Sequence, residues 1–147
     1  MKISGEKKYR IRTIGNDNLR DAVSAEDRMH VSIYEPLNYY TSSRLFNFLE
    51  PSDYKSALLD AGCGKGRLLA MGADYGFSDI IGIDISKKLC DTAQHVCRGI
   101  KTRYPGTSIS IECSDARYYR IPDVVGVIFL FNPFDSVVMK EFISESI

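Results

Sequence analysis

Residues 58–66 have the sequence LLDAGCGKG, in which a short apolar run leads into a turn rich in glycine. Glycine has no Cβ, so it adopts positive φ angles and lets a ligand approach the backbone closely. A helix that begins after such a turn presents free N–H groups to the ligand. The stretch therefore predicts a buried strand that opens into a cradle of the nucleotide-binding type.

The spacing of the glycines separates two kinds of nucleotide-binding turn. The dinucleotide fingerprint G-x-G-x-x-G needs Gly or Ala at its sixth position, where this chain has Arg67. The spacing here is G-x-G-x-G, formed by Gly62, Gly64 and Gly66, with Asp60 in front of it. A dinucleotide-binding oxidoreductase domain is therefore the least favoured of the functions considered.

Polar residues also follow the later apolar segments. Residues 79–84 form a predicted strand that ends on Asp84, about twenty residues after the turn, where βαβ folds place a ribose-binding acid. The next two predicted strands end just before Asp115 and Asn132. Each acid alone also fits a plain turn or a helix cap. Together with Asp60 at the end of the first strand, polar residues thus follow four successive strands, which favours one shared site.

Strands and helices alternate along the chain, which predicts an α/β fold with a mainly parallel sheet between helical layers, a Rossmann-like three-layer sandwich. We expect the strand order 3-2-1-4, which brings the carboxyl ends of the strands together beside the glycine turn. The predicted elements are strand 56–61, helix 66–75, strand 79–84, helix 86–104, strand 107–113, strand 123–131 and a helix from residue 135.

These motifs resemble those of class I S-adenosylmethionine-dependent methyltransferases, in particular small bacterial members distantly similar to lysine methyltransferases. The resemblance runs from about residue 34 to the end and implies S-adenosyl-L-methionine as the cofactor. It places the methionine end in the glycine loop, the ribose on Asp84 and the adenine amino group on Asp115. The cofactor-binding residues that it implies are Tyr34, Asp60, Gly62, Cys63, Gly64, Gly66, Asp84, Ile85, Asp115, Ala116 and Asn132.

The catalytic candidates are Asn132, Pro133 and Phe134, which resemble the Asn-Pro-Pro-aromatic motif of amino-methyltransferases with one proline missing. The Asn132 side chain and a main-chain carbonyl at Pro133 could accept hydrogen bonds from an amine, and Phe134 could wall the site. The expected function is methyl transfer to an amine nitrogen of a protein or small molecule. The alternative is a cofactor-binding, inactive module that serves as a scaffold or partner subunit.

The family's sheet usually has three more strands after this motif, so the resemblance implies that the C-terminal part of the fold is missing. The strand at 124–131 lacks polar alternation, which predicts burial on both faces and pairing on both edges. A second copy of the chain, in a homodimer formed through this edge, is the expected cover. The expected domains are an N-terminal arm and lid over residues 1–35 and a truncated methyltransferase domain over 36–147.

Two features of the N-terminal third bear on that arm. Residues 8–14 alternate enough to predict a short strand or an extended arm. A helix is expected from Pro36 to Pro51, and its predicted apolar stripe consists of Leu37, Tyr40, Leu45, Phe48 and Leu49.

Composition limits the partners and the compartment. The chain has 147 residues and is 44% hydrophobic, which suits one domain with a core. Its formal net charge of zero argues against electrostatic attraction of the whole molecule to nucleic acid or membrane. Neither a membrane-spanning run nor a signal peptide is found, so we expect a cytoplasmic protein. The four cysteines lack C-x-x-C spacing, so no metal site is expected, and Cys90 and Cys97 are expected in the core.

Overall fold

The computed structural model describes residues 4–14, 17–18, 25, 33–34, 36–131 and 135–146. Its helices and strands alternate from residue 57 onward, as the sequence predicts. In chain order the elements are α1 (Gly5–Tyr9), β1 (Asp17–Asn18), β2 (Ile33–Tyr34), α2 (Tyr39–Phe46), β3 (Ala57–Ala61), α3 (Arg67–Tyr75), β4 (Asp79–Asp84), α4 (Lys87–Arg103), β5 (Ser108–Cys113), β6 (Val125–Leu130) and α5 (Ser136–Ser146).

The main sheet has four strands in the order β5-β4-β3-β6. All three neighbouring pairs are parallel. Counted from β3, this is the order 3-2-1-4, so the predicted Rossmann-like topology is confirmed. The strands β1 and β2 form a separate antiparallel pair.

The register of the sheet brings the strand ends to one edge. Ala61 at the end of β3 pairs with Ile83 of β4 and with Leu130 of β6. Asp84 at the end of β4 pairs with Cys113 at the end of β5. The residues that follow the strands therefore share one edge of the sheet, where ligands bind in folds of this type.

Helices cover both faces of the sheet, because β3 is apolar on both sides. All five residues of β3 are buried. Leu58 belongs to a core with residues of α2, α3 and α4, and Leu59 belongs to a second core that includes Phe142 of α5. The helical spacing of Leu89, Ala93, Val96, Cys97 and Ile100 predicts one buried face for α4. These residues, together with Cys90, are buried.

Cys90 and Cys97 are buried, as expected of small core residues. Cys63 is also a buried free thiol, whereas Cys113 is exposed.

The N-terminal third differs from the prediction. Ser4 caps α1 by accepting a hydrogen bond from the Lys7 amide, so the start of the predicted strand at residue 8 is helical instead. Residues 11–14 have no regular structure, so no strand forms there.

The helix expected from Pro36 begins only at Tyr39, because the Asn38 side chain accepts a hydrogen bond from the Thr41 amide and caps it there. The predicted apolar stripe is wrong in part. Tyr40 and Phe48 are exposed by 71% and 88%, whereas Ser42 and Phe46 are buried. The buried face of α2 is set by Phe46, which stacks on Tyr75 and Phe129.

Among the described residues of this single chain, the strand at 124–131 is neither buried on both faces nor paired on both edges, so its cover by a second copy stays a prediction. Within the described part of the chain, β6 pairs with β3 alone and forms an edge of the sheet. Its residues alternate between half-buried and exposed, and Ile128 is 40% exposed. The expected order 3-2-1-4 also puts this strand at the edge of the sheet, and its burial depends on which elements pack beside it.

Candidate functional site

The glycine loop connects β3 to α3 at the carboxyl edge of the sheet. Gly62, Gly64 and Gly66 have φ angles of 85°, 54° and 88°, in the region that side-chain-bearing residues rarely adopt. Each glycine of the G-x-G-x-G pattern is thus required by the backbone itself. At Gly66 an added Cβ would lie 3.4 Å from the Cβ of Ala93 in α4, an ordinary van der Waals contact, so the φ angle is what requires glycine there.

The loop lies directly against β4. The amides of Gly62 and Cys63 both donate to the Ile83 carbonyl, at 2.8 and 2.9 Å. Close approach is possible because residue 82 is glycine: a Cβ there would lie 2.9 Å from the Leu69 side chain and 3.0 Å from the Cys63 sulfur. The buried Cys63 thiol fills this contact, and burial raises its pKa well above the usual value. Cys63 is therefore a packing residue of the loop.

Asp84 joins the loop to the start of α4. Its Oδ2 accepts a hydrogen bond from the Gly64 amide at 2.9 Å, and its Oδ1 accepts one from the Ser86 amide at 2.9 Å. Burial raises the pKa of Asp84, while the hydrogen bonds from Ser86, Gly64 and Ile85 oppose that shift. A carboxylate offers about four acceptor positions, so with three amides bound about one remains for a further donor such as a ribose hydroxyl.

Asp60 is a buried acid at the end of β3. Burial, with a further contribution from the negative charge of Asp84, raises the pKa of Asp60 to about 7. Its side chain is 7% exposed and has no hydrogen-bond donor in the part of the chain that the structure describes. A poorly compensated carboxylate beside a ligand-binding loop is suited to a cationic group, such as the ammonium of an amino acid.

Asp115 lies beyond β5 and is already paired. Its Oδ1 caps the following turn by accepting from the Arg117 amide at 3.0 Å, and its Oδ2 accepts from the Arg117 guanidinium at 2.7 Å. The amide of Ser114 donates to the Asp84 carbonyl at 2.9 Å, which keeps this turn beside the end of β4. Arg117 was missed in the sequence, although an Asp-x-Arg spacing in a turn is a local signal for such a pair.

The remaining predicted residues lie in three different settings. Ile85 is half-buried just after β4, and Ala116 is buried in the core that contains Leu59. Of Tyr34 the structure describes only the backbone, as part of β2. Asn132, Pro133 and Phe134 lie outside the described residues.

Glu6 and Thr13 form a polar cluster with Arg67 that the sequence did not reveal. Glu6 and Arg67 are ion-paired at 3.1 Å across 61 positions of the chain. Opposite charges so far apart give no local signal, so only the tertiary structure shows the pair.

The described residues contain neither a metal-binding cluster nor a membrane-spanning helix. Among the described residues, no group of three or more His, Cys, Asp or Glu side chains is arranged to hold a metal ion. None of the helices described is long and apolar enough to cross a membrane.

Comparison with protein families gives one match, to a family described as "Methyltransferase domain", over residues 58–145. The match covers the sheet from β3 onward and most of α5. No curated protein sequence matches the chain.

Similar solved structures share less than a third of their sequence with this chain in the cases given next. They include a protein of Listeria monocytogenes described as an S-adenosylmethionine-dependent methyltransferase, at 23% identity over 60% of this chain and 39% of that one, with a TM-score of 0.45. Magnesium protoporphyrin IX methyltransferase of Synechocystis PCC 6803, with bound SAH, is 21% identical over 58% of this chain and 43% of its own, with a TM-score of 0.46.

The methyltransferase domain of bacterial CtHen1-C is 21% identical over 69% of this chain and 55% of its own, with a TM-score of 0.48. The present chain thus spans about two fifths to just over half the length of these three structures.

Proposed function

Because this chain belongs to the methyltransferase-domain family, whose cofactor is S-adenosyl-L-methionine, we propose that it catalyses methyl transfer to an amine nitrogen of a protein or small molecule. When bound, the cofactor supplies a methyl group already activated on a sulfonium. The protein must then hold the cofactor, align the acceptor and exclude water.

The observation that carries the proposal is the hydrogen bond between the Gly64 amide and Asp84, 2.9 Å long. It joins the glycine loop and the acid at the end of β4 into one cradle. In this cradle Asp84 would hold the ribose through the acceptor position that its three amide hydrogen bonds leave open. Asp60 would accept hydrogen bonds from the ammonium group of the methionine end. No donor among the described residues competes for its buried carboxylate.

The helix after the loop supports the same assignment. The first amide of α3 bonded within the helix is that of Ala70, which donates to the Gly66 carbonyl at 3.2 Å. The amides of the preceding helical residues have no such intrahelical partner. They form a site for the methionine carboxylate, which the partial positive charge of a helix N-terminus favours.

The adenine would lie between the ends of β4 and β5. Ile85 would pack on the base, and Asp115 with the buried Ala116 would line its edge. Since Asp115 is already paired with Arg117 at 2.7 Å, only its unused acceptor positions could bind the adenine amino group.

The acceptor site is proposed from residue chemistry and strand order. Leu130, the last residue of β6, pairs with Ala61 beside the glycine loop. Asn132, Pro133 and Phe134 follow after Phe131. Two carbonyl acceptors from Asn132 and Pro133 would fix the hydrogens of an amine and direct its lone pair at the methyl carbon.

Binding and turnover test the proposal separately. Calorimetric titration of the purified chain should show binding of S-adenosylmethionine and no binding of NAD. Methyl transfer is measured with radiolabelled S-adenosylmethionine, using amine compounds and a cell lysate as acceptors. Binding without transfer would favour the inactive cofactor-binding module, and binding of NAD alone would favour an oxidoreductase domain.

The compartment is part of the proposal. Four free cysteines, of which three are buried, suit a reducing compartment. We therefore assign the protein to the cytoplasm.

A further inference from the structure

Both cationic side chains of the glycine loop bind the N-terminal segment. Lys65 Nζ donates to the Ile14 carbonyl at 3.2 Å. Arg67 Nε donates to Thr13 Oγ1 at 2.8 Å, and its terminal nitrogen contacts Glu6 at 3.1 Å. The family match begins at residue 58, so these contacts tie the shared cofactor loop to a segment outside the matched region.

Glu6 is the centre of this contact. Its Oε1 accepts hydrogen bonds from the Thr13 hydroxyl and the Tyr39 hydroxyl, each at 2.6 Å, in addition to the Arg67 guanidinium. Its Oε2 accepts from the Thr13 amide at 2.7 Å. One carboxylate thus joins α1, the segment after it, α2 and α3.

The pair is largely shielded from water. The Glu6 and Arg67 side chains are 15% and 11% exposed. Arg67 also lies over the Tyr39 ring, 4.3 Å from its centroid, and donates to the Leu37 carbonyl at 3.1 Å. Removal of one partner would leave the other charge buried without compensation. The contacts with Glu6, the Leu37 carbonyl and the Tyr39 ring together hold the guanidinium in one position.

Restricting Arg67 also fixes the end of the loop. Arg67 is the first residue of α3 and directly follows Gly66, whose φ is 88°. Its backbone amide belongs to the first turn of the helix and has no intrahelical partner. The Arg67 side chain, held by Glu6, therefore sets the direction of the helix N-terminus on which the methionine carboxylate would bind.

We propose that Glu6 is a positioning residue for the cofactor and that residues 6–14 are a structural part of the cofactor cradle. The inference rests on the proposed function. Glu6 does not contact the cofactor; it acts through Arg67, while the Ile14 carbonyl supports the loop through Lys65.

The same helix provides a matched control. Lys8 lies two residues from Glu6 and pairs with Asp74 of α3 at 3.1 Å. Its side chain is 55% exposed, and it has no contact with the loop in the described structure. A Lys8→Gln variant therefore alters the attachment of α1 without touching the Glu6 cluster.

The principal test compares Glu6→Gln with Lys8→Gln and the unaltered chain. Glu6→Gln should weaken S-adenosylmethionine binding about tenfold in calorimetry, within the usual range for coupling between sites. In turnover assays KM for the cofactor should rise while kcat is unchanged. Lys8→Gln should change neither. In the ligand-free protein, hydrogen exchange at residues 62–66 should accelerate in Glu6→Gln, and exchange in β4 should not.

A double variant tests whether Glu6 acts through Arg67. If it does, Glu6→Gln combined with Arg67→Gln should bind no more weakly than Arg67→Gln alone. Additive losses would overturn the inference. If Glu6→Gln does not fold, as judged by circular dichroism, the milder Thr13→Val variant replaces it, with an expected loss of about threefold.

The outcomes separate this inference from the function on which it rests. An unaltered chain that binds no S-adenosylmethionine overturns both. Binding by the unaltered chain, together with equal affinity and equal loop exchange in a folded Glu6→Gln protein, overturns only the role of Glu6.

Discussion

Two acids at the carboxyl edge of the sheet differ in how their charges are compensated. Asp84 accepts amide hydrogen bonds from both neighbouring segments, whereas Asp60 is buried beside it without a donor from the described residues. These hydrogen bonds offset part of the effect of burial at Asp84, whose pKa is still raised. No described donor offsets it at Asp60, which is therefore the acid whose charge is most easily lost. Each acid gives a prediction at the scale of a single residue.

Replacement of Asp84 by Asn should weaken S-adenosylmethionine binding by about 2 kcal/mol, because a charge-assisted acceptor for the ribose hydroxyls is lost. The Gly64 amide would also lose its anionic partner. Asp79→Asn, at the opposite end of the same strand, is the control and should bind normally. Calorimetry on both variants measures the effect, and an Asp84→Asn protein with unchanged affinity would contradict the assignment.

The raised pKa of Asp60, about 7 against an ordinary value of 3.8, predicts a pH dependence of stability. Between these values the folded chain binds a proton that the unfolded chain has released, so the free energy of unfolding falls as pH rises from about 4 to about 7. Asp60→Asn should remove this contribution and raise the melting temperature at pH 8. Thermal unfolding across this pH range measures it, and parallel profiles for the two proteins would refute it.

At the scale of elements, the loop and α3 act as one unit because the glycines set the backbone path. The three positive φ angles turn the chain from β3 into the helix, and the loop amides bond to β4. A substitution in the loop should therefore weaken ligand binding more than it changes the folding of the sheet.

Gly62→Val or Gly64→Val should abolish S-adenosylmethionine binding while circular dichroism shows that the fold survives. A β-branched side chain at φ angles of 85° or 54° is strained, and its bulk would occupy the ligand's space. Gly99→Ala is the control, since a Cβ at that helical position meets nothing within 4 Å. It should bind normally and gain roughly 0.5–1 kcal/mol of stability. Retained binding by either valine variant would show that the loop is not the cradle.

On the scale of the whole molecule, the side of the sheet at β6 exposes apolar residues. Val124, Ile128 and Phe131 are 60%, 40% and 46% exposed. The outer edge of β6 has no neighbouring strand within the described residues. An apolar edge strand of this kind is a template for pairing with another strand.

We expect the chain to associate with a second copy of itself through this surface. Light scattering should show a dimer, and Ile128→Lys, which places a charge on the exposed edge, should shift it toward the monomer. Lys55→Glu, outside this surface, is the control. A monodisperse monomer with ordinary methyltransferase activity would be inconsistent with this expectation.

The sequence alone determined the order of elements from residue 57, the strand order of the sheet and the G-x-G-x-G loop. These features follow from local patterns: apolar runs of strand length, the face of α4, and glycines where φ must be positive. It also predicted that Asp60 and Asp84 lie at the same edge of the sheet, because the carboxyl ends of parallel strands meet at one edge.

Only the tertiary structure decided the rest. The Glu6–Arg67 pair spans 61 positions, and no local pattern reports so distant a partner. The buried face of α2 follows Phe46, whose ring partners lie in α3 and β6. Burial of β6 depends on the elements packed beside it. In each case the energy comes from contacts between distant segments, so a residue's environment is fixed only when the chain has folded.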